Sequence, residues 1–320
     1  MSISTELQSL NNNILGAYTA IQGKDGTVPE NKNMENLPAA IESIPSGGGG
    51  GIGIPREVDA NGVYRFPTQS FSFSLPSNAI DIGDRALSYS FNGCTSLTSV
   101  DLSSLVSVNG TYAFYYAFQN CASLTSVNIS SLTAVAGAST FYYAFQNCTS
   151  LTSVSLSSLA TATGNSSFYY AFGSCSGLAS ISFPALTKIG NNAFNYAFND
   201  CTSLTSVSFP ALVTAGAGSF YYAFSGCTSL RTLSFPALAG ISDNSIFNSA
   251  FRNCTNLRSL SFPALTASSF GNPTNQFNNM LYGCSGVTVH FPASVQSTIG
   301  SWSSVTKGFG GTNTTVLFDL

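Results

Sequence analysis

The chain has 320 residues, of which 44% are hydrophobic and only 7% charged, with a formal net charge of −3. A chain this long can bury a large core, and so little charge, against about 25% in an average protein, leaves no basic field to hold nucleic acid. No run of roughly 18 or more apolar residues occurs, so no membrane insertion is expected; Ser, Thr, Asn and Tyr supply the polarity, a balance common in secreted, cell-surface and virion proteins.

Residues 1–45 carry two short heptad stripes. Leu7, Leu10, Ile14, Ala17 and Ile21 follow a 3–4–3–4 spacing; after Gly26-Thr27-Val28-Pro29, the residues Met34, Leu37, Ile41 and Ile44 repeat 3–4–3. The spacing predicts helices that either close on each other as a hairpin or associate as a homo-oligomer, in either case a docking or oligomerisation module. The opening MSISTELQSLNNN has neither a basic n-region nor an apolar h-region, so no signal peptide is expected. A protein working outside cells would then travel by another route, such as an assembled particle. Residues 46–51, SGGGGG, predict a flexible linker.

From residue 52 the chain is periodic. Cysteines fall at 94, 121, 148, 175, 201, 227, 254 and 284, with spacings of 27, 27, 27, 26, 26, 27 and 30. Such regularity marks a structural repeat. One unit reads Cys148, Leu151, Val154, Leu156, Leu159, Phe168, Ala171 and Phe172; another reads Cys201, Leu204, Val207, Phe209, Leu212, Phe220, Ala223 and Phe224. The Val-x-(Leu/Ile/Phe) segment alternates with period 2 and predicts a short strand. The Phe-x-x-Ala-Phe segment is apolar at i, i+3 and i+4 and predicts a short helical turn. Pro184, Pro210, Pro236 and Pro263 end their strands, because proline cannot donate to a ladder. No unit can bury its own apolar face, so the units must stack into a solenoid. Strands are expected near Phe73, Val100, Val127, Val154, Ile181, Val207, Leu233, Leu260 and Val287. The expected solenoid spans 52–291, with an N-terminal cap at 52–70. A C-terminal cap at 292–320 carries the one Trp, Trp302, and closes with a strand at Thr315-Val316-Leu317-Phe318.

Three columns of side chains are candidates for chemistry. Cys94, Cys121, Cys148, Cys175, Cys201, Cys227, Cys254 and Cys284 are read as free buried thiols of the structural core, each an apolar-flanked position one repeat from the next; stacked neighbours could approach each other, but disulfide geometry is demanding. Tyr115, Tyr116, Tyr142, Tyr143, Tyr169, Tyr170, Tyr196, Tyr221 and Tyr222 lie between the phenylalanines of the turn. They either form an exposed binding stripe for sugar or protein or stack on one another and merely cover the core. Outward strand residues, such as Ser153, Ser155, Ser180, Ser182, Ser206 and Ser208, form an uncharged hydroxyl-lined face. No Cys-x-x-Cys pair exists and His290 is the single histidine, so neither a metal site nor a catalytic constellation is expected, and no cofactor. The glycine run at 47–51 lacks the Lys-Ser/Thr of a phosphate loop.

The run from Cys175 to Phe194, CSGLASISFPALTKIGNNAF, resembles the BspA-type leucine-rich repeat, and the resemblance recurs in register over about residues 70–291. It implies a right-handed α/β solenoid with a parallel ladder of about nine strands, a role in adhesion or recognition at bacterial surfaces, and no catalytic residues. The units are longer than is usual for that family, with the extra residues around the Tyr-Tyr-Ala-Phe turn. Residues 1–51 carry AYTAIQGKDGTVP, then NLPAAIESIP and polyglycine. They resemble the N-terminal module of tail-associated proteins from phages and prophages of gut Firmicutes. Together the resemblances imply a non-enzymatic receptor-binding protein, on a virion or extracellular surface. Its solenoid would bind a bacterial surface glycan or protein, and residues 1–45 would dock on virion tail components. The alternatives are a BspA-like bacterial adhesin for host matrix proteins and a purely structural virion component.

Overall fold

A computed structural model describes residues 57–58, 64–65, 69–75, 77, 79–241, 245–269, 276–299 and 309–320. The expected helices of residues 1–45, the linker at 46–51 and Trp302 lie outside the described residues.

Strands β1 (Glu57–Val58) and β2 (Tyr64–Arg65) form an antiparallel hairpin. The solenoid then opens with β3 (Phe71–Ser74). Each following coil adds one strand to a main ladder and a two-residue strand to a second ladder. These pairs are β4 (Leu97–Asp101) and β5 (Ser107–Val108), β6 (Ser126–Asn128) and β7 (Ala134–Val135), and β8 (Ser153–Ser155) and β9 (Thr161–Ala162). Next come β10 (Ser180–Ser182) and β11 (Lys188–Ile189), β12 (Ser206–Ser208) and β13 (Thr214–Ala215), and β14 (Thr232–Ser234) and β15 (Gly240–Ile241). The main ladder closes with β16 (Ser259–Ser261), β17 (Thr288–Phe291) and β18 (Thr315–Phe318). All pairing within both ladders is parallel, with Val100 opposite Val127 and Val127 opposite Val154, so each coil repeats its predecessor's inward residue.

The main ladder is hydrogen-bonded in three blocks, β3-β4-β6-β8, β10-β12 and β14-β16-β17-β18. The residue at the head of each strand differs between the coils. The hydroxyls of Thr98, Thr125, Thr152 and Thr205 donate to the carbonyls of Phe71, Thr98, Thr125 and Ala179 in the preceding coil. In the two coils that begin a new block, Ala179 and Arg231 hold this position. At Arg258 the backbone N–H reaches the Arg231 carbonyl at 2.8 Å and the pairing continues.

The expected helical turns are not helices. In the coil around Phe114, the N–H groups of Tyr115, Ala117, Gln119 and Cys121 bond to carbonyls three residues back, while those of Tyr112, Phe114, Tyr116, Phe118 and Asn120 bond to the next coil. Every fourth residue, here Tyr112, Tyr116 and Asn120, has a left-handed φ near +57°, +54° and +61°. A helix cannot run through such residues. The segment is a ribbon of tight turns that still buries Phe114, Ala117, Phe118 and Cys121, the same i, i+3, i+4, i+7 set a helix would bury. The helices bounded within the described residues are short pieces at Ala267–Ser269, Ala293–Val295 and Gln296–Ile299. The molecule is thus a parallel β-solenoid with connecting turns, not the expected α/β arrangement.

The core is built in columns. Phe118, Phe145 and Phe172 stack at 5.3 and 5.5 Å within 5° of parallel, and Phe114, Phe141 and Phe168 at 4.8 and 5.0 Å. A third column, Phe183, Phe209, Phe235 and Phe262, occupies the proline-bearing coils. All eight cysteines are buried and free. Each from Cys121 to Cys284 donates its S–H to a phenylalanine carbonyl of the preceding coil; Cys148 to Phe118 O, at 3.1 Å, is typical. The position therefore takes a small, apolar side chain that also carries a weak donor. After the second ladder, Gly110, Gly137, Gly164 and Gly190 pass so close to the preceding coil that a Cβ would strike its backbone.

Candidate binding surface

The tyrosines form two adjoining columns and are half-buried apart from the exposed Tyr89. In one, Tyr89, Tyr116, Tyr143, Tyr170, Tyr196 and Tyr222 stack with ring centroids 5.1, 4.8, 4.8, 5.3 and 4.9 Å apart and planes within 16° of parallel. In the other, Tyr115, Tyr142 and Tyr169 stack at 5.2 and 4.6 Å. Asn195 takes the next place in that column, and Tyr221 beyond it meets Tyr196 edge-on at 5.8 Å. The rings stack on one another and cover core, and they also reach the surface. Stacking hides the ring faces inside the columns, so solvent meets ring edges and hydroxyls. Some hydroxyls are already used: Tyr170 Oη donates to Asn199 Oδ1 at 2.7 Å, and Tyr89 with Tyr115 and Tyr143 with Tyr169 share hydrogen bonds.

Burial, reinforced by neighbouring tyrosines, pushes the phenols of Tyr89, Tyr142 and Tyr196 up to about 12, and those of Tyr116 and Tyr143 higher still. The columns are therefore an uncharged, amphipathic stripe. Beside them runs an amide ladder in which Asn92 Nδ2 donates to Gln119 Oε1 at 2.7 Å and Gln119 Nε2 to Gln146 Oε1 at 2.6 Å. Tyr89 and Tyr112 belong to this surface and are absent from the sequence-based set; Tyr112 meets Tyr115 edge-on at 5.1 Å. Tyr89 was findable by aligning Leu87 and Phe91 with Phe114 and Phe118.

The serines of the main ladder face outward on either side of buried Val154, Ile181 and Val207. Across β12, β14 and β16 this face sinks into an open depression floored by Val207 and Leu233. His290 is not isolated: its Nδ1 lies 3.0 Å from both carboxylate oxygens of Asp319, which flanks the last strand. Ser261 is its register partner across the ladder, yet no serine hydroxyl bonds the imidazole among the described residues, and the pair lies on the surface. Among the described residues no group of three or more His, Cys, Asp or Glu side chains gathers to hold a metal, and no helix is long and apolar enough to cross a membrane.

The profile of the BspA type leucine rich repeat region (6 copies) matches residues 61–196 and 169–303. Among solved structures, the chain is similar to the leucine-rich-repeat protein TpLRR of T. pallidum, at 20% identity over 82% of this chain and 96% of that one, with a TM-score of 0.39. An internalin (inlF) from Listeria monocytogenes matches at 17% identity over 63% of this chain and 58% of that one, with a TM-score of 0.26. No curated protein matches the chain.

Proposed function

The chain belongs to the BspA type leucine-rich-repeat family, and on that premise we propose that it is a non-enzymatic recognition protein, carried on a phage or prophage tail, whose tyrosine columns bind a bacterial surface molecule. The observation that carries the reading is the unbroken, uncharged row of stacked Tyr89, Tyr116, Tyr143, Tyr170, Tyr196 and Tyr222. Ring edges with hydroxyls suit a protein surface, which offers both apolar contact and hydrogen-bonding groups. They suit sugar stacking less, because a sugar ring needs an open aromatic face. The sequence of residues 1–51 supports placement on a particle, with residues 1–45 as the dock.

The test uses Tyr→Phe changes at Tyr115, Tyr142, Tyr143 and Tyr169, which keep the stack and remove its hydroxyls. Tyr170 is spared because it holds Asn199. Binding of the whole chain to bacterial cells is expected to fall at least about tenfold, a loss of roughly 1.4 kcal/mol, with the unfolding midpoint unchanged. Undiminished binding removes the columns from the interface. The family match favours a second reading, a bacterial surface adhesin for host matrix proteins. Whole-chain binding to matrix proteins in place of bacterial cells would establish it.

A further inference from the structure

A different face carries an independent signal. The depression across β12, β14 and β16 is lined by the hydroxyls of Ser206, Ser208, Ser234, Ser259 and Ser261. Its apolar floor is closed to deep contact, Val207 and Leu233 being 6% and 4% exposed. Arg231 and Arg258 are not among the residues that line the depression but lead directly into β14 and β16, are both exposed, and stand in adjacent coils. Arg258 donates from Nη1 to the Thr255 and Leu257 carbonyls, which leaves Nε and Nη2 as the fork for an anion. Neither arginine has an ion-pair partner among the described residues. Between residues 202 and 262 the sequence holds one acidic residue, Asp243, which lies outside the described residues.

We propose that this face is a second binding site, for an acidic polysaccharide, with Arg231 and Arg258 reading its anionic groups and the serine rows its hydroxyls. Guanidinium forks match carboxylate and sulfate groups with paired hydrogen bonds. Two forks one coil apart call for anions repeated along an extended chain. The rest of the depression offers hydroxyls with Pro210 and Pro236, and its aromatic lining residue, Phe209, is only 1% exposed and cannot serve as an anchor, whereas protein interfaces concentrate their energy in large buried anchors. A polymer dense in hydroxyls and regularly anionic satisfies both halves of the face; an acidic peptide satisfies only the arginines. The site shares no residue with the tyrosine columns, so it stands or falls apart from the function proposed for them.

The experiment titrates the whole chain at low salt with polygalacturonate, with neutral dextran and with polyglutamate. Polygalacturonate is expected to bind, dextran not to bind, and polyglutamate to bind more weakly. The double variant Arg231→Gln/Arg258→Gln should lose about tenfold or more in affinity for polygalacturonate. The pair Arg231→Lys/Arg258→Lys, which keeps charge without the fork, should fall between. Arg252→Gln, a change on the turn ribbon where Arg252 lies over the Tyr282 ring, should leave binding as it was. Unfolding midpoints confirm that each variant is folded. No binding of polygalacturonate by the native chain, or equal binding by the double glutamine variant, overturns the proposal. Polyglutamate bound as tightly as polygalacturonate overturns it in favour of an acidic protein.

Discussion

Tyr143 has φ near +56°, a conformation a bulky side chain rarely adopts and one that costs about 1–3 kcal/mol. It is held there between Tyr116 and Tyr170, each 4.8 Å away and within 2° of parallel. Two such contacts, each worth about 0.5–1.5 kcal/mol, offset the strain. Tyr143→Phe should therefore leave the denaturant midpoint nearly unchanged. Tyr143→Gly should be milder than Tyr143→Ala by about 0.5–1 kcal/mol, because glycine accepts the left-handed backbone that alanine resists. An alanine variant as stable as the glycine one would mean that the backbone relaxes and no strain is stored. The phenols add a pH dependence. A free phenol titrates near 10, while those of Tyr89, Tyr142 and Tyr196 are pushed up to about 12. The folded state holds these protons more tightly, so this stabilisation is intact below about pH 10 and is lost as pH rises through about 12. Phenolate absorbance at pH 11 should show fewer ionised phenols in native than in denatured protein, Tyr89, Tyr116, Tyr142, Tyr143 and Tyr196 staying protonated until unfolding. The thiols behave alike: burial pushes Cys148 and Cys201 up to about 12. A thiol reagent needs the thiolate, so native protein should label slowly and denatured protein at all eight cysteines.

Each turn ribbon divides its amides between its own coil and the next, so its packing and its hydrogen bonds fail together. Phe172 is fully buried and stacks on Phe145 and Phe198 at 5.5 Å each. Phe172→Ala should cost about 3–5 kcal/mol. Tyr169→Ala, at a half-buried position, should cost much less, and calorimetry of the two variants makes the comparison. Equal losses would place the tyrosines in the core. At this scale the sequence was partly legible. Cysteine spacing gave the coil, and the Ser-Val-Ser alternation gave the main strands with their inward and outward residues. The turn ribbon was misread because burial at i, i+3 and i+4 is common to a helix and to turns with a left-handed residue every fourth place. Its marker, Asn120 or Asn147 before cysteine, is faint, since Ser174 and Asp200 serve equally. The second ladder has only two residues per coil, such as Thr161–Ala162 and Lys188–Ile189, too short for any alternation to register. Its trace was the glycine that follows, in Ile189-Gly190 and Ala215-Gly216. The tyrosines could be named from the sequence, but their stacking could not, because it depends on the rise between coils. The His290–Asp319 contact joins residues that share no repeat position.

For the whole molecule, stability is close to a sum over coil interfaces, and at the two gaps in the main ladder the coils are joined by the second ladder and the turn ribbons. Ala179 begins the second block, is exposed, and occupies the place where Thr125 and Thr152 bond the coil before. Ala179→Thr supplies the missing hydroxyl opposite the Thr152 carbonyl and should add about 0.5–1.5 kcal/mol. Hydrogen exchange should slow across β8 and β10 more than elsewhere. Faster exchange there, or a lower midpoint, would show that the gap is set by coil geometry and not by the absent hydroxyl.

The sameness of successive tyrosines has a statistical consequence. A partner that spans two rungs of the column Tyr89, Tyr116, Tyr143, Tyr170, Tyr196 and Tyr222 finds five nearly equivalent seats, which adds RT ln 5, about 1 kcal/mol, to its affinity without any new contact. Moving from one seat to the next exchanges one rung for an identical one, so the partner can creep along the rail without letting go. If the columns bind as proposed, a protein held this way would keep its grip on a surface while remaining free to shift its position upon it.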